Sequence, residues 1–233
     1  MTYQDQQYQL FNQLETVFKK GQQPSNVYPP IADYARDSRQ CLTLVNYTSP
    51  DLSKLIDAQL IQPLKEADSK QYFYPQISLH TTLLTLFLAA DPPLFTEAEI
   101  KIIAEILTET FKKITPITYC LDGLFIMPNS IGIRGYTDSK LTETIHLIQQ
   151  DLAAQNIKLS PGLASNEVFF GHITICRFTT QPNSEFWQKL TELKNIKLGS
   201  YVSNSWNLVS SNLAFEPNST KTHQVFNLDD HGV

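Results

Sequence analysis

The chain has 233 residues and a formal net charge of −5, and its 42% hydrophobic and 18% charged residues are the balance of an ordinary globular protein. It contains no block of lysine or arginine, so we expect no extended nucleic-acid footprint, although a small nucleotide or an RNA end remains compatible. The N-terminus has no basic segment followed by an apolar run, and the most apolar stretch, residues 79–90, is too short and too rich in threonine to span a bilayer.

The three cysteines, Cys41, Cys120 and Cys176, are scattered and show no Cys-x-x-Cys spacing. Such cysteines in apolar surroundings are typical of reduced, buried thiols. We therefore expect a cytoplasmic protein that is neither secreted nor inserted into a membrane.

Helical periodicity begins near the N-terminus. Residues 4–20 place apolar side chains such as Phe11, Leu14 and Phe18 at mostly helical spacing before Gly21, which predicts an amphipathic helix. Residues 22–39 are polar and contain three prolines, so we expect an ordered loop or arm there.

Regular structure then follows in the first half of the chain. Thr96 stands before an apolar helical pattern with acidic residues in its first turn, which is typical of an N-cap, and Pro128-Asn129 marks a turn between two strands. The predicted elements are strand 41–47, helix 50–64, strand 77–87, helix 96–113, and strands 117–126 and 130–136.

The second half repeats this order more loosely. A helix over residues 138–156, capped by Thr137 or Asp138, precedes a second apolar strand over residues 168–178. The remaining predicted elements are helix 183–195 and strands 197–208, 211–215 and 222–228.

One short pattern occurs twice in these strands: His80-Thr81-Thr82-Leu83 and His172-Ile173-Thr174-Ile175. Side chains in a strand alternate between faces, so each motif presents one imidazole and one hydroxyl on the same side. Histidine titrates near neutrality, so two of them across a cleft can divide proton acceptance and proton donation. Threonine hydroxyls can hold phosphate oxygens as charge develops. The pair therefore favours metal-free phosphoester chemistry.

The two motifs, their spacing and the surrounding elements resemble the two-histidine phosphoesterase superfamily, which includes the 2′,5′ RNA ligase and RNA 2′,3′-cyclic phosphodiesterase group. Two further segments are similar to family features: Leu121-Asp122-Gly123-Leu124-Phe125 before Ile131-Gly132-Ile133, and Gly171-His172-Ile173-Thr174-Ile175-Cys176-Arg177 with its trailing arginine.

The resemblance implies a bilobal α+β fold with helices on the outside. In that fold, two antiparallel sheets related by pseudo-twofold symmetry face each other across a central groove, and each wall carries one motif. The resemblance covers roughly residues 40–230, which we expect to form a single domain with intertwined lobes. Residues 1–39 lie outside it as an N-terminal helix and arm.

The resemblance also implies roles for the motif residues. In family members that hydrolyse 2′,3′-cyclic phosphates, one histidine is the base towards water and the other is the acid towards the leaving ribose oxygen. By motif match, these are His80 and His172, with Thr82 and Thr174 on the phosphate. Which histidine is the acid and which is the base cannot be read from the sequence, because the implied pseudo-symmetry makes the two nearly equivalent and the orientation of the substrate decides.

Three further side chains have two open interpretations each. Arg177 would suit a phosphate clamp, but strict alternation places it on the face opposite His172, so it lines the groove only if a bulge or strand end returns it. Arg134 and Tyr136 share a strand face that either lines the groove or faces solvent.

The other histidines, His146, His223 and His231, lack the hydroxyl two positions on, and we expect structural or surface roles.

We expect neither a metal nor a cofactor. A catalytic zinc generally has three protein ligands, and no His-Glu-x-x-His, cysteine pair or carboxylate cluster stands near either motif. No glycine-rich phosphate-binding loop is present, so a nucleotide would be a substrate.

The leading functional hypothesis is a metal-independent phosphodiesterase that opens a 2′,3′-cyclic phosphate, or cuts a related cyclic or 2′,5′-linked nucleotide. We expect a monomer acting on a small nucleotide or RNA end. The alternatives are a binding module that uses the same groove without turnover, an RNA end-joining activity, and a structural α+β protein whose motifs coincide by chance.

Overall fold

The computed structural model describes residues 1–19, 30–160 and 168–228, which confirm the α+β class. The helices of the described part are α1 (Tyr3–Lys19), α2 (Pro50–Ile56), α3 (Gln62–Ala67), α4 (Glu97–Phe111), α5 (Lys140–Ala154) and α6 (Ser184–Leu193). The strands are β1 (Gln40–Tyr47), β2 (Tyr72–Phe73), β3 (His80–Ala90), β4 (Ile117–Met127), β5 (Ser130–Tyr136), β6 (Gly171–Arg177), β7 (Lys197–Ser203), β8 (Ser205–Ser211) and β9 (Lys221–Asn227).

Helix starts follow the predicted caps closely. The Thr96 hydroxyl accepts the Glu99 N–H at 3.2 Å, and the Glu99 carboxylate accepts the Thr96 N–H at 2.8 Å, so α4 begins with a complete capping box. Helix α5 begins later than predicted, with Ser139 at the N-cap position, while Asp138 accepts the N–H of Lys140.

Several predicted elements differ from the observed ones, and strand 77–87 is observed as His80–Ala90. The predicted helix 50–64 is divided by a π-helical turn, Asp57–Ile61, and α3 continues beyond it. The predicted strand 197–208 is divided into β7 and β8. Residues 211–215 form a turn after β8 because the Asn212 side-chain oxygen accepts the N–H groups of Ala214 and Glu216, which satisfies backbone donors locally.

The strands form one strongly curled sheet where the sequence predicted two. Its order is β7-β4-β5-β6-β3-β1-β8-β9, with β2 beside β6. The two motif strands meet in the middle, where β3 and β6 pair antiparallel through a single register pair. The sheet is therefore two four-stranded halves joined at a narrow seam, and their predicted pseudo-twofold relation stays a prediction.

Each half is contacted by one helical segment that follows a strand of the other half. Helix α5 follows β5 but packs on β3, and the turn Asp57–Ile61 follows β1 but packs on β6. Two apolar clusters result. One contains the buried side chains of α4 and α5, and the other contains those of α2, α3 and α6. The helices thus tie the halves together at the back of the seam.

Helix α1 packs on β4 and β5 through both apolar and polar contacts. Phe11 is fully buried and meets the rings of Phe125 and Phe170 at centroid distances of 5.0 and 4.3 Å. The Gln7 amide donates to the carbonyl of Phe169 at 2.6 Å and accepts the N–H of Thr137 at 3.0 Å. The helix is therefore docked in one defined position.

Within the described ranges, each helix is too short or too polar for a membrane span. The thiols of Cys41 and Cys176 are buried and free, whereas the free thiol of Cys120 is partly exposed. The expectation of buried thiols is therefore confirmed for two of the three.

Gly171, the residue before His172, provides a test of the packing behind the seam. A Cβ there would lie 2.5 Å from the ring of Tyr119, which is itself fully buried. We expect Gly171→Ala to lower the free energy of unfolding by about 1–3 kcal/mol because the ring has no room to move. The matched control is Gly132→Ala, whose Cβ would meet nothing closer than 3.4 Å. Urea unfolding measures both, and equal effects would contradict the packing described.

Candidate active site

The seam between β3 and β6 brings the two motifs together. Thr81 pairs with Ile173, and in an antiparallel pair the residue after one partner lies opposite the residue before the other. His80 therefore lies beside Thr174, and Thr82 lies beside His172. Directly opposed side chains share one face of the sheet, with Cβ atoms about 5 Å apart.

We call this side of the sheet, which carries His80, Thr82, His172 and Thr174, the motif face. The Thr81–Ile173 pairing sets His80 and Thr82 of β3 opposite Thr174 and His172 of β6. The two histidines occupy one diagonal and the two threonines the other. The structure thus gathers the four residues selected from the sequence into one patch.

His80 is held rigidly and is almost completely buried. Its Nδ1 lies 2.7 Å from the carbonyl oxygen of Ser78, so Nδ1 carries a proton and Nε2 is left for other partners. The Phe215 ring lies over the imidazole at 3.8 Å, and the rings of Tyr47 and Tyr74 lie at 6.2 and 6.4 Å.

The Phe215 ring is positioned by its own backbone. Its φ is 51°, in the left-handed region that bulky side chains rarely adopt. The Ser78 hydroxyl donates to the Phe215 carbonyl at 2.7 Å, so the residue that orients His80 also holds the ring that covers it.

His172 lies in a second aromatic setting, which includes residues of β4 and β5. The rings of Phe125 and Phe170 lie 6.4 and 6.1 Å from the imidazole. Gly132 lies beneath the imidazole, and a Cβ there would sit 3.5 Å from its Cδ2. Arg134 pairs directly opposite His172 in β5.

Burial lowers the pKa of both imidazoles to about 4, because each loses the hydration that stabilises its charged form. For His80 the hydrogen bond to Ser78 opposes this shift, while the charges of His172 and Arg177 add to it. For His172 the Arg177 charge also contributes. Without a bound anion, both histidines are therefore neutral at neutral pH.

Arg177 reaches the motif face because β6 contains a bulge. Gly132 pairs with Thr174, but its neighbour Ile131 pairs with Cys176, so β6 has one residue more than β5 in this interval. Such an insertion reverses the alternation of side chains beyond it. The bulge places Arg177 on the same face as Thr174, the position that a phosphate clamp would need, and its role stays a prediction.

The Arg177 guanidinium lies near both motifs. Its Nε donates to the Tyr74 hydroxyl at 2.8 Å, and the Tyr74 ring lies 6.4 Å from His80. Its charge lowers the pKa of both histidines.

Arg134 also lies on the motif face, but α1 binds its guanidinium. It donates to Glu15 at 2.8 Å, to Asn12 at 3.2 Å and to the carbonyl of Leu124 at 3.0 Å, and it lies over the Phe11 ring at 5.3 Å. Both charged side chains of the Glu15–Arg134 pair are under 10% exposed. Arg134 is therefore neither solvated nor presented to the motif histidines.

Tyr136 lies farther along the same strand face. It packs against Phe11 with 5.5 Å between ring centroids and is partly exposed. It borders a cavity of about 420 Å³ between α1 and the strands β4 and β5. Of the two interpretations left open by the sequence, the structure places Tyr136 on the motif face, and a role in substrate binding stays a prediction.

The remaining histidines lie apart from the motif face. His223 contacts the hydroxyl of Ser210 at 2.8 Å, and the ring of His146 lies 5.8 Å from that of Phe169. His231 falls outside the described residues. In the described part of the chain, no three His, Cys, Asp or Glu residues are grouped as a metal site would need.

Sequence reasoning missed the aromatic residues that surround the imidazoles. Tyr47 ends the strand beside the first motif, and its position opposite His80 follows only from the register. Phe215 was placed in a strand and in fact belongs to a turn. Phe11 was recognised as apolar, but helical periodicity does not reveal which surface a helix covers.

No protein-family model matches the sequence, and no curated protein matches it. Solved structures match by fold. TT0787 of Thermus thermophilus has a TM-score of 0.60 at 17% identity, covering 82% of this chain and 100% of that one. E. coli LigT, complexed with ATP, has a TM-score of 0.56 at 15% identity, covering 83% and 100%.

A conserved protein of unknown function from Agrobacterium tumefaciens, ATU0111, has a TM-score of 0.57 at 13% identity and covers 88% of this chain and 93% of its own. At these identities the likeness establishes the fold. The resemblance drawn from the two motifs is thereby confirmed as a likeness of fold.

The buried Glu15–Arg134 pair gives a test of how α1 is docked. Removing one partner leaves the other charge buried and unpaired, so we expect Glu15→Ala to lower the free energy of unfolding by about 3–5 kcal/mol. Glu105→Ala, at an exposed position of α4, is the control and should be nearly neutral. Urea unfolding distinguishes them, and a loss at Glu15 no larger than at Glu105 would contradict the contact.

Proposed function

We propose that this chain, which has the fold of two-histidine phosphoesterases, hydrolyses a 2′,3′-cyclic phosphate of a nucleotide or RNA end without a metal. The observation that supports this most directly is the pairing of Thr81 with Ile173, which sets each motif histidine beside the threonine of the other motif. A phosphate placed over this patch would meet two imidazoles and two hydroxyls from one face.

The reaction needs two proton transfers around one phosphorus atom. One neutral imidazole accepts a proton from water as the water oxygen bonds to phosphorus. The bond from phosphorus to one ribose oxygen breaks, and the other imidazole, in its charged form, donates a proton to that oxygen. The product is a nucleoside monophosphate, and the two histidines exchange their protonation states.

Charge on the phosphate oxygens builds as the water attacks. The hydroxyls of Thr82 and Thr174 are partly exposed on the motif face and can donate to these oxygens. The Arg177 guanidinium adds a positive charge in partly buried surroundings, where electrostatic stabilisation is stronger than in water. We assign Arg177 to the phosphate together with the two threonines.

The lowered pKa values define the state in which the substrate binds. Both imidazoles are neutral in the free protein, so a base is available at once and the acid must gain a proton. An anionic phosphate between the histidines favours the charged form of either one. Substrate binding therefore raises the pKa of the imidazole that acts as the acid, so that this imidazole can be protonated.

Structurally similar proteins agree with a nucleotide substrate. One similar structure is described as a phosphoesterase, and E. coli LigT has been crystallised with ATP, 3′-AMP and phosphate. These ligands belong to those proteins. They support the proposal that a nucleotide phosphate fits the corresponding site here.

We expect the wild-type protein to turn over a 2′,3′-cyclic nucleotide in EDTA. His80→Ala and His172→Ala should each lower kcat by about 10²–10⁴-fold because each removes one proton transfer. His223→Ala, at a histidine away from the motif face, is the matched control and should retain activity. Metal-dependent turnover, or activity that survives loss of a motif histidine, would contradict the mechanism. Nucleotide binding without turnover would favour a binding module.

The pH dependence should show the effect of burial and of the Arg177 charge. Because the pKa of both free histidines is about 4, the charged acid becomes scarcer as pH rises, and kcat/KM should fall through neutrality by about tenfold per pH unit. Arg177→Gln removes a cation that lowers both pKa values, so its profile should move to higher pH as well as decrease in height. An unshifted profile would contradict the proximity of Arg177 to both imidazoles.

A further inference from the structure

The two sides of the motif patch are not equally accessible. On the His172 side, Phe11 of α1 is fully buried against Phe125 and Phe170, the same rings that lie near the imidazole. A ligand that extended from the phosphate in this direction would have to displace a helix anchored by a buried ion pair.

On the His80 side the surface opens into a cavity of about 640 Å³, within the range of small-molecule sites. Two of its lining residues contact the histidine. Tyr47 pairs directly opposite His80 with 6.2 Å between the rings, and the Ser78 carbonyl holds the Nδ1 proton. The cavity and the imidazole of His80 therefore share two neighbouring residues, and none of the described residues that line the cavity belongs to α1.

The lining of this cavity suits a neutral, flat group with polar edges. None of the described residues that line it carries a charge. They include Tyr47, Ile77, which is 75% exposed, and the exposed polar residues Gln76 and Thr222. This lining combines an aromatic face and an aliphatic face with hydrogen-bonding groups between them. It suits a nucleobase and ribose better than a second phosphate.

We propose that this cavity holds the nucleoside of the substrate, and that α1 restricts the enzyme to substrates that extend from the two histidines on the His80 side only. This inference rests on the proposed function. It narrows the substrate class to a 2′,3′-cyclic mononucleotide or the last nucleoside of an RNA end. It excludes a chain that continues past the phosphate on the His172 side.

The test fills the cavity without touching the motifs. Thr222 is exposed in β9 and lines the cavity, and Thr118 is exposed in β4 of the other half, so Thr222→Trp and Thr118→Trp are matched. We expect Thr222→Trp to lower kcat/KM for adenosine 2′,3′-cyclic phosphate by about tenfold or more. Glycerol 1,2-cyclic phosphate, which lacks a nucleoside, should react equally with both variants and the wild type.

A smaller change gives a second comparison. Ile77→Ala removes an exposed aliphatic contact in the cavity, and Ile102→Ala removes one from α4. We expect only Ile77→Ala to raise KM for the cyclic nucleotide, by a few-fold to about tenfold. Thermal unfolding verifies that all four variants are folded.

Calorimetric binding of 3′-AMP distinguishes failure of this inference from failure of the proposed function. Weaker 3′-AMP binding in Thr222→Trp but not in Thr118→Trp supports the nucleoside cavity, even if the wild type turns over no cyclic phosphate. Equal 3′-AMP binding by the two tryptophan variants, with normal turnover of the cyclic nucleotide, overturns the cavity while the two-histidine reaction stands. Absence of 3′-AMP binding to the wild type also overturns it.

Discussion

The site depends on one register pair in the middle of the sheet. Thr81 opposite Ile173 is the point at which two four-stranded halves meet, and it sets both motifs on one face. Because side chains alternate with a period of two, a shift of one residue would send one histidine and its threonine to the opposite face. Gly171 and Tyr119 pack behind this seam, and the exchanged helices hold the halves in place. The arrangement of the four motif side chains thus depends on this one pairing.

The two histidines belong to similar sequence motifs, but their surroundings in the structure differ. On one side a buried ion pair and a cluster of phenylalanines fix α1 over the sheet. On the other side Phe215 covers His80 and a neutral cavity opens beside it. The two histidines therefore lie in similar strand motifs but in surroundings that differ in how open they are. Under the proposed function, this difference would set the direction in which a substrate extends.

Much of the site could be predicted from the sequence because its four motif residues lie in short local sequence patterns. His-x-Thr specifies which side chains share a face, and apolar periodicity identified both motif strands. The bulge in β6 that brings Arg177 to the motif face is a property of pairing with β5 and has no local signal. The surface on which α1 packs could not be predicted either, because the paired residues Arg134 and Glu15 lie far apart in sequence. Sequence also predicted two sheets where the seam makes one, since a single cross-strand pair leaves no pattern of its own.

The most direct test of the account is a crystal structure of the protein with uridine vanadate, a five-coordinate analogue of the transition state. We expect the vanadium atom to lie over the motif face, with the imidazoles of His80 and His172 on opposite sides of the vanadium. The hydroxyls of Thr82 and Thr174 should contact its equatorial oxygens. Vanadate that contacts only one motif, or binds away from this face, would contradict the claim that the seam builds a single two-histidine site.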